Sequence, residues 1–366
     1  MMKSFVLKRA GSLFATLSLA LFAAACGDSA TGPGGTFDPE ATRQDVDAVT
    51  SAIDADEILA GLGLIGESLG NQIGSPAIIA PSADLAPTVD HLRNFALAGG
   101  GSAGPIFPSN VLGVTFEYDD QLGDYVPGTR TGAPAAGVRF IYYAMNPVTE
   151  QPVVPLVELG YVDLTDESGA ASTRLQIDLI DTSGAAPAHL VDYFIDGSFT
   201  LNGTTLGVVL VADGFISDGT DQLVFVLSES GTFTQGGTTF DVTANHNLTV
   251  PTQSVSLNLT GNATLPLDDG GALTADFAVS ISDGENVALL TLTLTDTSVD
   301  GSIAYNGTVV IIISGDENSL TFSRPDGTEL SPEEIEALEA MSTVADDMFE
   351  FAEHLLEPGG ELFGTG

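Results

Sequence analysis

The feature that most constrains this fold is an alternation of apolar and polar residues, punctuated by turn signals, from Leu112 to Ser323. Leu175 and Ile177 alternate with Arg174, Gln176 and Asp178, and Val255, Leu257 and Leu259 with Ser256, Asn258 and Thr260. The same holds for Leu273, Ala275, Phe277, Val279 and Ile281, and for Leu290, Leu292 and Leu294 among threonines. Successive side chains of a strand point to opposite faces, so this period gives one apolar face and one Thr, Ser and Asn face. Antiparallel strands wetted on one side have that pattern. Asn202-Gly203, Gly236-Gly237, Asp269-Gly270-Gly271, Asp283-Gly284 and Asn306-Gly307 supply tight turns between the runs. The expected fold is mainly β, with roughly a dozen strands in meander order. A sheet of that width does not stay flat, so a curled half-barrel or a sandwich is expected. Gly197–Leu206 resembles Gly231–Phe240 at an offset of 34 residues. Shared hairpin chemistry accounts for that repeat as well as duplication does.

Helical signals flank the strands. Val46, Val49, Ile53, Leu59, Leu62, Ile65, Leu69 and Ile73 recur at three- and four-residue spacing, and the glycines from Gly61 to Gly70 predict a break near residue 61. Residues 74–110 are rich in Gly, Pro, Ala and Ser, with one short helical candidate at Pro87–Leu97. At the other end, Ser331-Pro332-Glu333-Glu334 offers an N-cap serine, a proline at the first helical position and a capping-box glutamate. Ile335, Leu338, Met341, Ala345, Met348, Ala352 and Leu355 then form one apolar stripe, with a stop expected at Pro358-Gly359-Gly360. The inner face of the sheet is the surface this amphipathic helix needs.

The first 25 residues carry Lys3, Lys8 and Arg9, then a 13-residue apolar run from Ala10 to Phe22, then Ala23-Ala24-Ala25. That run is short for a membrane span and suits a signal-peptide core. Cys26, the single cysteine, follows directly. The Ala-Ala-Ala-Cys sequence resembles the lipobox of bacterial lipoproteins. The resemblance implies that Cys26 is alkylated by lipid, carrying palmitate-type acyl chains, and that residues 1–25 are removed. More than one chain is needed for a stable anchor. Gly27 stands where some lipoproteins retained in the inner membrane carry Asp, which favours the outer membrane. The expected organisation is a signal peptide at 1–25, a flexible Gly- and Pro-rich tether at 26–41, a helical arm at 42–110, an antiparallel β domain at 111–325 and a packed helix at 331–357.

Loss of residues 1–25 leaves six arginines against 50 acidic residues over 341, a formal charge of −44. Such a surface repels nucleic-acid phosphates and anionic headgroups, so nucleic acid is excluded as a partner and a covalent anchor is needed at a membrane. With 43% apolar residues the chain can still bury a core. No lysine follows Lys8, which removes Schiff-base and P-loop chemistry. With Cys26 acylated there is no thiol nucleophile and no disulfide. The absence of Trp weakens the case for a sugar-stacking platform.

The remaining motifs have plainer readings. Gly61-Leu-Gly-Leu-Ile-Gly66 matches a dinucleotide fingerprint but lacks the strand that must precede it. Ser68 and Ser102 each sit in a G-x-S-x-G sequence, without the α/β sheet that makes a nucleophile elbow. His91, His189, His246 and His354 show no zinc spacing, and His246 lies on the apolar face of its strand, near a strand end or a cavity mouth. The turns with Asp213, Asp218 and Asp221 are the best calcium candidates, with turn capping as the ordinary alternative. No other cofactor and no catalysis is expected. The reading is a membrane-anchored cell-envelope lipoprotein with a structural role or an envelope protein partner. The alternative is a carrier of an apolar ligand or lipid within a curled sheet, similar to the lipid- and lipoprotein-carrier folds of bacterial envelopes.

Overall fold

Asp38 opens the first helix: its Oδ1 accepts the Ala41 N–H at 3.0 Å, and Pro39 follows at the first helical position. Helix α1 therefore spans Pro39–Ile53, and residues 39–41, expected in the tether, are helical. The computed structural model describes residues 37–53, 56–73, 106–146, 148–149, 151–169, 172–234, 237–266, 272–316 and 319–363. The signal segment, Cys26, the candidate helix at Pro87–Leu97, His91 and Ser102 lie outside the described residues.

Helix α2, Asp56–Ile73, runs unbroken through Gly61, Gly63 and Gly66, contrary to the expected break. Gly61 is there for proximity. A methyl group on it would sit 2.5 Å from the ring of Tyr142, a buried side chain with little room to yield. The penalty of about 1 kcal/mol for a mid-helix glycine is the cost of that close approach.

The chain forms two compact units, one with described residues 56–73, 106–228 and 351–363, the other with 37–53 and 229–350. The first contains β1 (Thr115–Asp119), β2 (Asp124–Pro127), β3 (Gly137–Tyr143), β4 (Met145–Asn146), β5 (Gln151–Pro152), β6 (Glu158–Asp166), β7 (Thr173–Asp181), β8 (Ala188–Asn202) and β9 (Thr205–Ser217). Here the antiparallel expectation needs one correction. β1 pairs in parallel with β3, Phe116 opposite Phe140, because β2 folds back along the other edge of β1. Phe116 and Phe140 stack at 4.8 Å, and buried Tyr125 meets Phe140 edge-on while its hydroxyl donates to the Ile141 carbonyl at 2.9 Å. Helix α2 lies against β2 to β5, and the Ser68 hydroxyl donates to Asp124 at 2.5 Å.

The second unit continues from β10 (Gln222–Thr234), within which the division falls, through β11 (Thr239–Val250), β12 (Val255–Pro266), β13 (Thr274–Ser282), β14 (Val287–Thr295), β15 (Val299–Tyr305), β16 (Thr308–Asp316) and β17 (Ser319–Ser323). Alternation here sets the faces as expected. Val255, Leu257, Leu259, Phe277, Val279, Leu290 and Leu292 are all buried. On the opposite face Thr243, Asn262, Asp276, Thr293, Asp300, Ser314 and Thr321 lie in one row across seven strands. Thr293 donates to Asp276 at 2.7 Å and Thr243 to Asn262 at 3.0 Å, the cross-strand contacts that support a wet face. Asn306 and Gly307, with φ of 49° and 78°, make the left-handed turn that a two-residue hairpin requires.

Among the described residues, fifteen strands join one open sheet in the order β17 down to β6, then β3, β1 and β2; β4 and β5 pair separately. Helix α3 spans Pro332–Phe363. Its capping box is formed: the Ser331 N–H donates to Glu334 at 2.7 Å and the Glu334 N–H to the Ser331 hydroxyl at 3.3 Å. Arg324 clamps the same carboxylate, with bonds of 3.1 and 2.7 Å. The helix passes through the expected stop at Pro358-Gly359-Gly360. An interior proline loses one backbone bond and crowds the carbonyl four residues back, about 3 kcal/mol. The preceding turn is pinned by buried Leu355 and Leu356 and by the Tyr193 hydroxyl, which donates to the Leu355 carbonyl at 3.1 Å.

Candidate functional site

The least ordinary side chains are two polar residues at inward positions of neighbouring strands in the second unit. Along β10, Leu223, Phe225, Leu227 and Glu229 point inward; along β11, Phe240, Val242, Ala244, His246, Leu248 and Val250 do so. Glu229 and His246 are each 1% exposed. His246 Nε2 lies 3.3 Å from Glu229 Oε1, outside hydrogen-bond geometry. Phe349 of α3 meets the imidazole edge-on at 5.8 Å and Phe277 at 6.3 Å, so the helix roofs the pair. His246 is thus a mid-strand core residue, not one at a strand end or a cavity mouth. A solute would have to displace the helix to reach it. Chemically, the arrangement sets a polar contact between β10 and β11 in the core, with an aromatic ring of α3 against the imidazole, where loss of one member is costly.

The same helix carries a strained carboxyl. Asp346 is pushed up to about 7 by burial, with Asp347 and Glu350 adding repulsion. Its value in an unfolded chain is near 3.8, so the folded state holds a proton that the unfolded state releases. The stability it contributes is complete below pH 3.8 and is lost as pH rises through about 7. Asp346→Asn is expected to raise the thermal midpoint at pH 8, with the gain shrinking to nothing towards pH 4. Equal gains at both pH values would refute the burial argument. Asp45 on α1 is raised in the same direction, to about 6, by burial and by the Asp283 charge.

The sequence candidates are dispersed. Asp213 lies within β9, opposite Phe194 on β8. Asp218 and Asp221 share the β9–β10 turn, where Asp218 accepts the Thr220 and Asp221 N–H groups at 2.7 and 2.8 Å. Those bonds hold its carboxyl below the usual range. Among the described residues no group of three or more His, Cys, Asp or Glu side chains is placed to hold a metal ion. His189 sits exposed with Nδ1 2.8 Å from Asp178, and His354 lies on α3. Both Gly61–Gly66 and Ser68 lie inside α2, so neither a phosphate-binding strand–loop–helix nor a nucleophile elbow forms around them.

Every arginine among the described residues is held by a carboxylate. Arg139 makes two 2.7 Å bonds to Asp163 and lies 3.6 Å over the Tyr161 ring, while Arg174 pairs with Asp196. Arg43 pairs with Glu40, Arg130 with Glu117 and Glu158, and Arg324 with Glu334.

Glu229 was not singled out from sequence. Its signal was an acidic residue in the apolar phase of a strand, facing a histidine in the apolar phase of the next. No protein-family model, curated protein or solved structure matches the chain.

Proposed function

We propose that the protein is a cell-envelope lipoprotein, held at the membrane by acyl chains on Cys26, whose body is a structural or interaction module rather than a ligand carrier. The observation that carries this reading is the burial of the α3 stripe. Ile335, Leu338, Met341, Met348 and Leu355 are buried, so the chain's own side chains take up apolar surface that a carrier would offer to its ligand. Helix α1 adds Val46, Val49 and Ile53 against β11, β12 and β13. The anchor rests on Ala23-Ala24-Ala25-Cys26 and on the charge of a body that a bilayer repels.

Native mass spectrometry of the detergent-extracted protein is expected to give the acylated chain from Cys26 with no stoichiometric apolar passenger. A co-purifying lipid beyond the covalent chains would favour the carrier instead. Cys26→Ser is expected to move the protein from the membrane fraction to the soluble fraction, with no lipid mass. Membrane retention of this variant, or a wild type that keeps residues 1–25 and carries no lipid, would end the anchor reading.

A further inference from the structure

In the unit containing β1 to β9, the hairpin of β4 and β5 stands apart from the large sheet. The chain that follows is strapped beside its base: the Val153 N–H donates to the Ala144 carbonyl at 2.8 Å and the Ala144 N–H to the Val157 carbonyl at 2.9 Å. This fixes the run Val153-Val154-Pro155-Leu156-Val157, in which Val153 is 37%, Val154 64% and Val157 47% exposed. Val148, between β4 and β5, is 88% exposed. The β1–β2 turn joins the same patch. Tyr118 donates its hydroxyl to Gln151 of β5 at 2.6 Å, and a methyl on Gly123 would lie 3.9 Å from that hydroxyl. Next to Gly123 is Leu122, 70% exposed.

Single exposed valines are ordinary, but a consecutive aliphatic run held by backbone hydrogen bonds and bordered by a second exposed loop marks an interaction surface. Its border is acidic. Glu158 directly follows Val157, Asp119, Asp120 and Asp124 flank Leu122 in the β1–β2 turn, and Arg130 is shared between Glu117 and Glu158. A second copy would bring the same acidic border, and an anionic bilayer a like-charged surface; both are repelled. Charge complementarity leaves a cationic partner with an apolar centre.

We infer that the β4–β5 hairpin and the β1–β2 turn form a docking site for a protein segment that presents aliphatic side chains flanked by Lys or Arg. This deepens, and rests on, the interaction-module reading above. In such a complex the valines and Leu122 supply the dry centre and the carboxylates the charged rim.

The test uses the full chain and a synthetic amphipathic peptide of alternating Leu and Lys, with a Ser and Lys peptide of equal charge as control, read by fluorescence anisotropy. The expected result is that the Leu-containing peptide binds, and that Val154→Ser with Val157→Ser weakens it at least tenfold. The control peptide should bind weakly and be indifferent to those changes. Hydrogen exchange should slow in residues 144–157 and 119–124 when the Leu-containing peptide is bound. An unaltered thermal midpoint, expected for exposed positions, separates lost binding from lost folding; if the midpoint falls, the exchange pattern on the wild type decides. Equal affinity of wild type and variant, or protection elsewhere, would overturn the proposal. So would a wild-type dimer that the variant dissociates, or valine-dependent binding to phosphatidylglycerol vesicles. None of these results touches the passenger test by mass spectrometry, so the two readings fail separately.

Discussion

Deletion of residues 331–366 is expected to abolish cooperative folding. In the unit that includes residues 229–350, α3 contributes Ile335, Leu338, Met341, Val344 and Met348, all buried; in the unit that includes residues 106–228 it contributes Phe351, Leu355 and Leu356. Phe351 meets Phe225 edge-on at 5.5 Å, and the Tyr193 hydrogen bond to the Leu355 carbonyl goes with the deleted segment. Each large side chain is worth roughly 1.5–3 kcal/mol when buried. A few such losses are already comparable to the whole stability of a domain, about 5–15 kcal/mol. The truncated chain should aggregate, or melt without a cooperative transition by circular dichroism. A soluble truncation with a sharp melt that binds an apolar dye would reverse the assignment of α3 from core to plug. It would also promote the carrier reading.

His246→Leu is expected to cost about 3 kcal/mol in urea denaturation, near the low end for breaking a buried polar pair by removing one member. The reason is that the Glu229 carboxylate stays in the core without the imidazole that faces it. Adding Glu229→Leu should recover most of the loss, since apolar residues of similar volume often replace buried pairs at little cost. The double-mutant cycle then gives a large coupling energy. Additive single effects would mean that the two side chains are neighbours without being partners.

Most of the second unit was legible residue by residue. A period of two fixes which side chains share a face whatever the partner strand, so the burial of Leu257, Phe277 and Leu292 follows from local pattern alone. Caps are equally local, which is why Ser331-Pro332 located the start of α3. The errors occurred where a local signal met a tertiary contact. The glycines of α2 read as breakers, yet Gly61 answers to Tyr142, many residues away. Pro358 read as a stop, yet the turn before it is held from outside by Tyr193.

By itself the sequence determined the class of this protein: mainly β, open to water on one face, intensely acidic, with a capped C-terminal helix. These properties depend on periods, caps and counts, which act over a few residues or over the whole composition. Tertiary structure alone decided the parallel seating of β1 on β3 and the meeting of His246 with Glu229 beneath Phe349. It also decided the valine run left uncovered beside the β1–β2 turn. Those are contacts between segments whose spacing along the chain carries no signal. Burial and complementarity exist only once the chain has brought them together.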